Sequence, residues 1–374
     1  MKKRVTIITW MGDTTLNYGA TLQATAMQEL LKNQNCIPTT MKFMYLGKTA
    51  KERMMTLMSR GSGYAKTYFR FKKWIKKYIN VSPQCYFDDD VVAYAKENSD
   101  ILLCGSDCIW GDAYNTRQLF FWDYEELDGL PHIAYASGLD KGEITYDMSR
   151  VIDKFVAISG REKYVSQILS KYNKPIATVL DPTLTVSESF WEKRAGKRMI
   201  SGDYIVCYIL SRIECHQVSI EKIKKKYNVN HVVCIDTNFI DKPCNEVYSD
   251  YNGNVSKKTV GPEEFLSLIK YAKVVCTDSF HGMCFSLVFR REFYIFSLKR
   301  IYTMGEDRRF ASLLPKLGLT QRYILLNSDI DKVEDINWTE VETNLYKERQ
   351  ESIQFLKDAI DKCDAYKEPK DANQ

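Results

Sequence analysis

The sequence predicts an α/β protein built from two Rossmann-like domains that face a cleft. Three observations predict it. Short apolar runs that read as buried parallel strands alternate with helical stretches. Most of these runs end in a polar turn, among them Gly105-Ser-Asp107, Ser159-Gly-Arg161 and Thr277-Asp-Ser279. The alternation also pauses near 184–203 and then restarts, as two units of ordinary size in 374 residues would.

Taken in order, Val5 to Trp10 is the first strand, and Asn17 caps a helix over Tyr18 to Lys32. A strand at Ile37 to Phe43 completes a βαβ unit, for which parallel strands and covering helices are expected. A basic insertion at 44–80 interrupts the pattern, with an amphipathic helix over Tyr64 to Ile79. Alternation resumes with a helix from Asp88 and strands at Ile101 to Cys104, Ile133 to Ala136, Phe155 to Ile158 and Ala177 to Leu180. Asp203 begins the second unit. Its strands are Tyr204 to Leu210, Val232 to Ile235, Val274 to Cys276 and Phe293 to Phe296, and its helices include Pro262 to Tyr271 and Arg308 to Leu317. A long helix runs from Trp338 to Cys363. The expected domains are 1–184, 185–337 and the helix 338–366, which returns to the first domain in a GT-B-type arrangement.

Composition sets bounds. A net charge of +5 gives no global reason to bind nucleic acid. Locally, Lys42 to Lys77 holds eleven basic residues against Glu52 alone. That block reads either as a solvated helix on a long insertion or as a surface for anionic lipid headgroups or a lipid-diphosphate-linked substrate. Eleven cysteines lack paired spacing, and Cys207, Cys234 and Cys276 lie in apolar runs, where cysteine behaves as a small hydrophobe. No metal-ligand cluster is visible, no apolar stretch approaches the ~20 residues of a membrane span, and a cytoplasmic protein is expected.

The stretch richest in chemistry is Ala272 to Phe289. A buried strand turns polar over Thr277-Asp-Ser279, presents His281-Gly282, and resumes as the apolar run Met283 to Phe289. A strand, tight turn and helix at the carboxyl edge of a sheet form a site for anions. A histidine there can bind the anion or move a proton. His132, His216 and His231 are read as structural or exposed. Asp278 orients His281 or caps the helix. A Ser279/His281/Asp278 hydrolase triad is excluded, because triad members converge from separate segments.

Six segments resemble the polysaccharide pyruvyl transferase family: Asn17-Tyr-Gly-Ala-Thr-Leu-Gln23, Gly105-Ser-Asp-Cys-Ile-Trp110, Tyr135-Ala-Ser-Gly138, Ser159-Gly-Arg-Glu162, Asp181-Pro-Thr-Leu184 and Thr277-Asp-Ser-Phe-His-Gly282. They stand in the family's order. Cys108, Leu139, Gly160 and Met283 depart from the residues usual there. The resemblance implies transfer of pyruvate from phosphoenolpyruvate to two hydroxyls of a sugar, forming a ketal and releasing phosphate. The implied acceptor is a bacterial surface polysaccharide or its lipid-linked precursor, and no cofactor or metal is implied. A nucleotide-sugar glycosyltransferase of the same architecture and a non-catalytic component of a polysaccharide assembly complex are the competing readings.

Such a donor calls for arginines, whose planar fork suits a carboxylate and a phosphate. Arg161, Arg309 and Arg212 are the candidates. His281 is the candidate acid/base, sharing the anion, and Asp107 either takes a proton from the acceptor hydroxyl or caps its turn. Ser279 and Gly282 join the donor side. Gly105 and Ser106 accompany Asp107, Asn17 and Gly19 shape the first loop, and Gln23 sits on a helix face. Tyr18 and Trp110 stack on a sugar or pack in the core. Peripheral contact with the inner face of the membrane, through the basic helix 64–79, is a further expectation.

Overall fold

The computed structural model describes residues 1–12, 15–43, 61–111, 118–139, 144–211, 216–235, 255–258, 260–297, 307–325 and 328–366. In the first lobe, β1 (Arg4–Ile8), β2 (Ile37–Phe43), β3 (Val81–Cys85), β4 (Ile101–Cys104), β5 (His132–Ser137), β6 (Phe155–Gly160) and β7 (Ile176–Thr178) form a parallel sheet. Its order is β3-β2-β1-β4-β5-β6-β7. In the second lobe, β8 (Ile205–Tyr208), β9 (Val232–Ile235), β10 (Val255–Lys258), β11 (Val274–Thr277), β12 (Glu292–Phe296) and β13 (Tyr323–Ile324) form another, also parallel, in the order β10-β9-β8-β11-β12-β13. The two Rossmann-like lobes of the predicted class are therefore present. Every residue of β4 and β8 is buried, as strands covered on both faces require.

Strands β3, β10 and β13 were not expected, for different reasons. Pro83 lies in β3 and lacks a donor, which only an edge strand such as this tolerates. The sequence Val-Ser-Lys-Lys of β10 is half charged, and β13 has only two residues. Cys207 pairs in register with both Cys234 and Cys276 inside the core of the second sheet, which confirms their apolar role.

Both sheets reverse their strand order at one point, between β1 and β4 in the first and between β8 and β11 in the second. Loops part there and leave a crevice at the carboxyl ends of the strands. Helix α1 (Tyr18–Asn33) follows β1 and is capped by Asn17, whose Oδ1 accepts from Ala20 N at 3.1 Å. Helix α2 (Gly61–Tyr78) buries Thr67, Phe71, Trp74 and Ile75. Helix α3 (Asp88–Asn98) leads into β4, and α4 (Lys163–Leu169) follows β6. The short α5 (Pro182–Thr185) and α6 (Glu188–Glu192) lead out of the first sheet, and α7 (Gln217–Tyr227) joins β8 to β9. Beyond β10 come α8 (Pro262–Lys270), α9 (Phe280–Val288) and α10 (Arg308–Ala311). The helix expected over Arg308 to Leu317 is thus shorter: it stops at Ala311, and Pro315 opens a separate 3-10 turn.

The long helix α11 (Trp338–Lys362) returns to the first lobe as predicted. Its Ser352 Oγ accepts from Leu180 N at 2.9 Å, Arg349 Nε donates to Leu184 O at 2.8 Å, and Lys3 Nζ donates to Ile360 O at 2.8 Å. One apolar core runs through both lobes and this helix, from Val5 and Leu103 to Val275, Leu345 and Leu356. Among the described residues, no helix is long and apolar enough to cross a membrane.

Candidate active site

The sequence Thr277-Asp-Ser-Phe-His-Gly builds a tight corner through its own hydrogen bonds. Thr277 Oγ1 donates to Tyr208 O at 2.6 Å and accepts from Ser279 N at 3.0 Å. Ser279 caps α9, accepting from Gly282 N at 3.4 Å. A Cβ at residue 282 would lie 2.3 Å from Thr277 Oγ1, so this glycine serves the turn by having no side chain. The helix starts at Phe280 rather than Met283, which puts His281 in its first turn. Asp278 neither caps the helix nor touches His281. Its two oxygens accept from Leu210 N at 2.6 Å and Ser211 N at 2.8 Å and tie the β8 loop to the β11 turn. Burial raises its pKa, against the pull of those bonds and of Arg309.

His281 is 7% exposed and spans the boundary between the lobes. On one side its Nδ1 lies against Gly19 of α1, where a Cβ would come within 2.1 Å of that nitrogen. On the other side Nε2 stands 3.4 Å from Asp181 Oδ2. That separation is long for a hydrogen bond, and the buried Nε2 has no closer polar partner.

Asp181 is fully buried at the start of α5. Its Oδ1 caps that helix, accepting from Thr183 N at 2.9 Å and Thr183 Oγ1 at 2.7 Å. Its Oδ2 accepts from Ser106 Oγ at 2.9 Å and faces Arg161 Nη1 at 3.5 Å as well as His281. Burial by itself would raise the Asp181 pKa, but His281, Arg161 and the Thr183 amide outweigh it and hold the carboxyl well below the usual range.

Arg161 enters from the end of β6. Its Nε donates to Glu162 Oε1 at 2.7 Å, its Nη1 lies 3.6 Å from Asp107 Oδ1, and its Nη2 donates to Cys108 Sγ at 3.3 Å. The Phe280 ring packs 4.5 Å from the guanidinium carbon. Burial disfavours this charge, yet Glu162, Cys108, Asp107 and Asp181 together push the Arg161 pKa above its ordinary value. Asp107 follows β4 with a left-handed φ of +72°. Its own Oδ1 accepts from Cys108 N at 2.9 Å, and its carbonyl accepts from Gly138 N at 2.8 Å.

These groups adjoin an open cleft lined by Arg161, Asp181, Phe280, Arg309, Lys316 and Glu348 among others. Asp307 holds Arg309 bidentately, at 3.0 and 3.1 Å, and Lys316 Nζ bonds Glu348 Oε2 of α11 at 2.6 Å. His281 is not among the residues that line this cleft, but it adjoins two that are: Phe280, its neighbour in the chain, and Asp181, whose Oδ2 is 3.4 Å from its Nε2.

The structure therefore gathers Asp107, Arg161, Ser106, His281 and, across the cleft, Arg309. It sets others apart. Tyr18 does not offer a face to a sugar: its ring stacks on Phe265 at 4.6 Å, packs on Phe71 and Tyr208, and its hydroxyl donates to Val260 O at 2.6 Å. Trp110 is likewise core, stacked on Phe121. Gly105 accommodates Thr9, whose Cβ would be 2.8 Å from an added side chain. Asn17 is a cap, and Gln23 is a buried tie whose Nε2 donates to Trp10 O at 2.8 Å. Arg212 lies outside the described residues.

Two members of the cluster were not singled out from the sequence, Asp181 and Glu162, although both stand in the quoted segments. Asp before Pro-Thr reads as an ordinary helix cap, and Asp181 is one; its second oxygen takes no part in the cap and faces Ser106, Arg161 and His281. Glu162 Oε2 accepts from Leu139 N at 3.1 Å while Oε1 holds Arg161, so it braces two of the turns. Gly160, a departure from the family's residue, is explained by Val165, whose Cβ would be 2.5 Å from an added Cβ.

The sequence matches the family model described as polysaccharide pyruvyl transferase over residues 17–300. Among curated proteins none matches. Solved structures of similar fold include a UDP-N-acetylglucosamine 2-epimerase at 13% identity, with 100% of each chain covered and a TM-score of 0.54. The UDP-N-acetylglucosamine 2-epimerase of Rickettsia bellii is 10% identical, with 97% of this chain and 98% of that one covered and a TM-score of 0.51. The UDP-GlcNAc 2-epimerase of Methanocaldococcus jannaschii is 12% identical, with 94% and 92% covered and a TM-score of 0.50. At these identities the likeness is one of fold, and it is a GT-B-type fold.

Proposed function

Because this chain belongs to the polysaccharide pyruvyl transferase family, we propose that it transfers pyruvate from phosphoenolpyruvate to two hydroxyls of one sugar, as a ketal. The observation that carries the reading is the meeting of half-buried Asp107 with buried Arg161, Asp181 and His281 in one cluster at the lobe boundary. Balance sets the tasks. The C=C bond of the donor breaks and its methylene carbon gains a proton. Two C–O bonds form at the adjacent carbon, and the bond to phosphate breaks. Of the two hydroxyl protons released, one ends on the new methyl group and the other on phosphate.

The residues suit those tasks. Arg161 and Arg309 flank the cleft, and each is braced by a carboxylate that fixes its fork for a carboxylate or phosphate. His281 passes a proton from an acceptor hydroxyl to the methylene carbon, and Asp107 assists the attacking hydroxyl. The acceptor is a surface polysaccharide or its lipid-linked precursor. For a lipid-linked acceptor the basic helix α2 supplies a contact with the anionic face of a membrane: its outer stripe is Lys66, exposed Phe69, Lys73 and Lys76, and its inner face places Phe71 5.2 Å from Tyr18, next to Gly19.

Incubation of the protein with phosphoenolpyruvate and a panel of sugar acceptors tests the reaction. Released phosphate and a new ketal methyl resonance are expected. Turnover of a sugar nucleotide, with no ketal from any acceptor, would overturn it in favour of glycosyl transfer. His281→Ala is expected to lower kcat by roughly a hundredfold or more. A loss below tenfold, ~1.4 kcal/mol in barrier, would leave His281 as a phosphate ligand only.

A further inference from the structure

The geometry points to Asp181 as the positioning residue of His281, one that holds the Nε2–H and so leaves Nδ1 as the proton-accepting nitrogen of the neutral ring. This inference rests on the pyruvyl-transfer reading of the site. The two ring nitrogens have unlike surroundings. Nε2 is enclosed and faces one carboxylate oxygen, Asp181 Oδ2, at 3.4 Å. Nδ1 lies against Gly19 of α1, so close that a Cβ at that position would stand 2.1 Å away. A buried nitrogen with one acceptor in reach is a donor, and the other nitrogen is then the acceptor.

Asp181 is itself constrained. Thr183 holds Oδ1 through two bonds, and Ser106 and Arg161 hold Oδ2, so the carboxylate cannot turn away from the ring. Because these ties come from β4, β6 and the start of α5, the first lobe fixes the orientation of a histidine carried by the second. Catalytic hydrogen bonds that are long without substrate tighten in its complex, and the 3.4 Å Nε2–Oδ2 separation is of that kind.

Two measurements test this. Nitrogen-15 spectra of histidine-labelled protein, with the His281 signal identified from His281→Gln, are expected to show the neutral ring protonated at Nε2. The Nδ1–H form would overturn the inference. Asp181→Asn keeps an oxygen for the Thr183 cap, and it is expected to lower kcat roughly a hundredfold with the phosphoenolpyruvate KM within about threefold. An unchanged kcat would also overturn the inference. If Asp181→Asn does not fold, the wild-type spectrum decides alone. If the wild type forms no ketal with any acceptor, the transfer reading fails, and the spectrum still decides which nitrogen Asp181 holds.

Discussion

Oδ1 of Asp181 caps α5 while Oδ2 faces Ser106, Arg161 and His281, so one side chain both starts a helix and enters the site. Its depressed pKa makes it a source of stability above the unfolded value near ~3.9, lost as the pH falls through the folded value. His132 acts in a different window. Burial lowers its pKa to about 4, although Trp122 O at 3.1 Å and Leu130 O at 2.8 Å favour the charged ring. Between pH ~6.5 and about 4 the unfolded chain binds a proton that the folded one does not, so stability falls as pH drops through that range. Unfolding free energies from urea titrations across it should fall, by up to ~1.4 kcal/mol per pH unit, and His132→Gln should flatten the slope. Equal slopes in the two proteins would place the effect elsewhere. His132 was readable as structural from its position after Pro131. His281 was readable as a candidate for proton transfer, but its neighbour Asp181 was not, because a lone aspartate before Pro-Thr carries no mark beyond that of a cap.

At the scale of elements, α2 shows how far a charge pattern reads. Its lysines and aromatics suggested an amphipathic helix, and the helix is there. Which lysines face outward depends on packing. Arg70 pairs with Glu264 at 3.4 Å, Lys72 lies over the Tyr68 ring and Lys77 over Tyr78. Lys66, Lys73 and Lys76 have no carboxylate partner among the described residues and flank Phe69, which is 63% exposed. At about 1 kcal/mol per lysine near an anionic bilayer, losing three should weaken binding by roughly a hundredfold. Replacing Lys66, Lys73 and Lys76 by Glu should therefore abolish sedimentation with vesicles containing anionic lipid. Unchanged sedimentation would show α2 to be a solvated helix. The inner face is not that of a detached insertion. Trp74 Nε1 donates to Thr25 Oγ1 of α1 at 3.0 Å, and Arg70 packs so closely on Gly261 that a Cβ there would sit 2.4 Å from its own.

For the whole molecule, α11 closes a core that belongs to both lobes. Leu356 is 1% exposed within it, and Leu356→Ala should destabilise the protein by roughly 2–5 kcal/mol in urea unfolding. The exposed neighbour Lys357→Ala should change it by no more than about 0.5 kcal/mol. Similar losses at both would mean that α11 does not share the common core.

The sequence by itself determined the two α/β lobes, the succession of their main strands along the chain, the long closing helix and the polar turns at strand ends. Each of these is written in local periodicity: apolar runs for buried strands, a 3.6-residue repeat for helices, and Gly, Ser and Asp where chains turn. Only the tertiary structure decided that Gly19, Asp181 and His281 meet, that Tyr18 is spent on the lobe interface, and that Asp278 braces a loop instead of the histidine. Those outcomes depend on how two sheets and α11 pack against one another. Packing is decided by the summed fit of surfaces distant in the chain, which no local pattern of residues encodes.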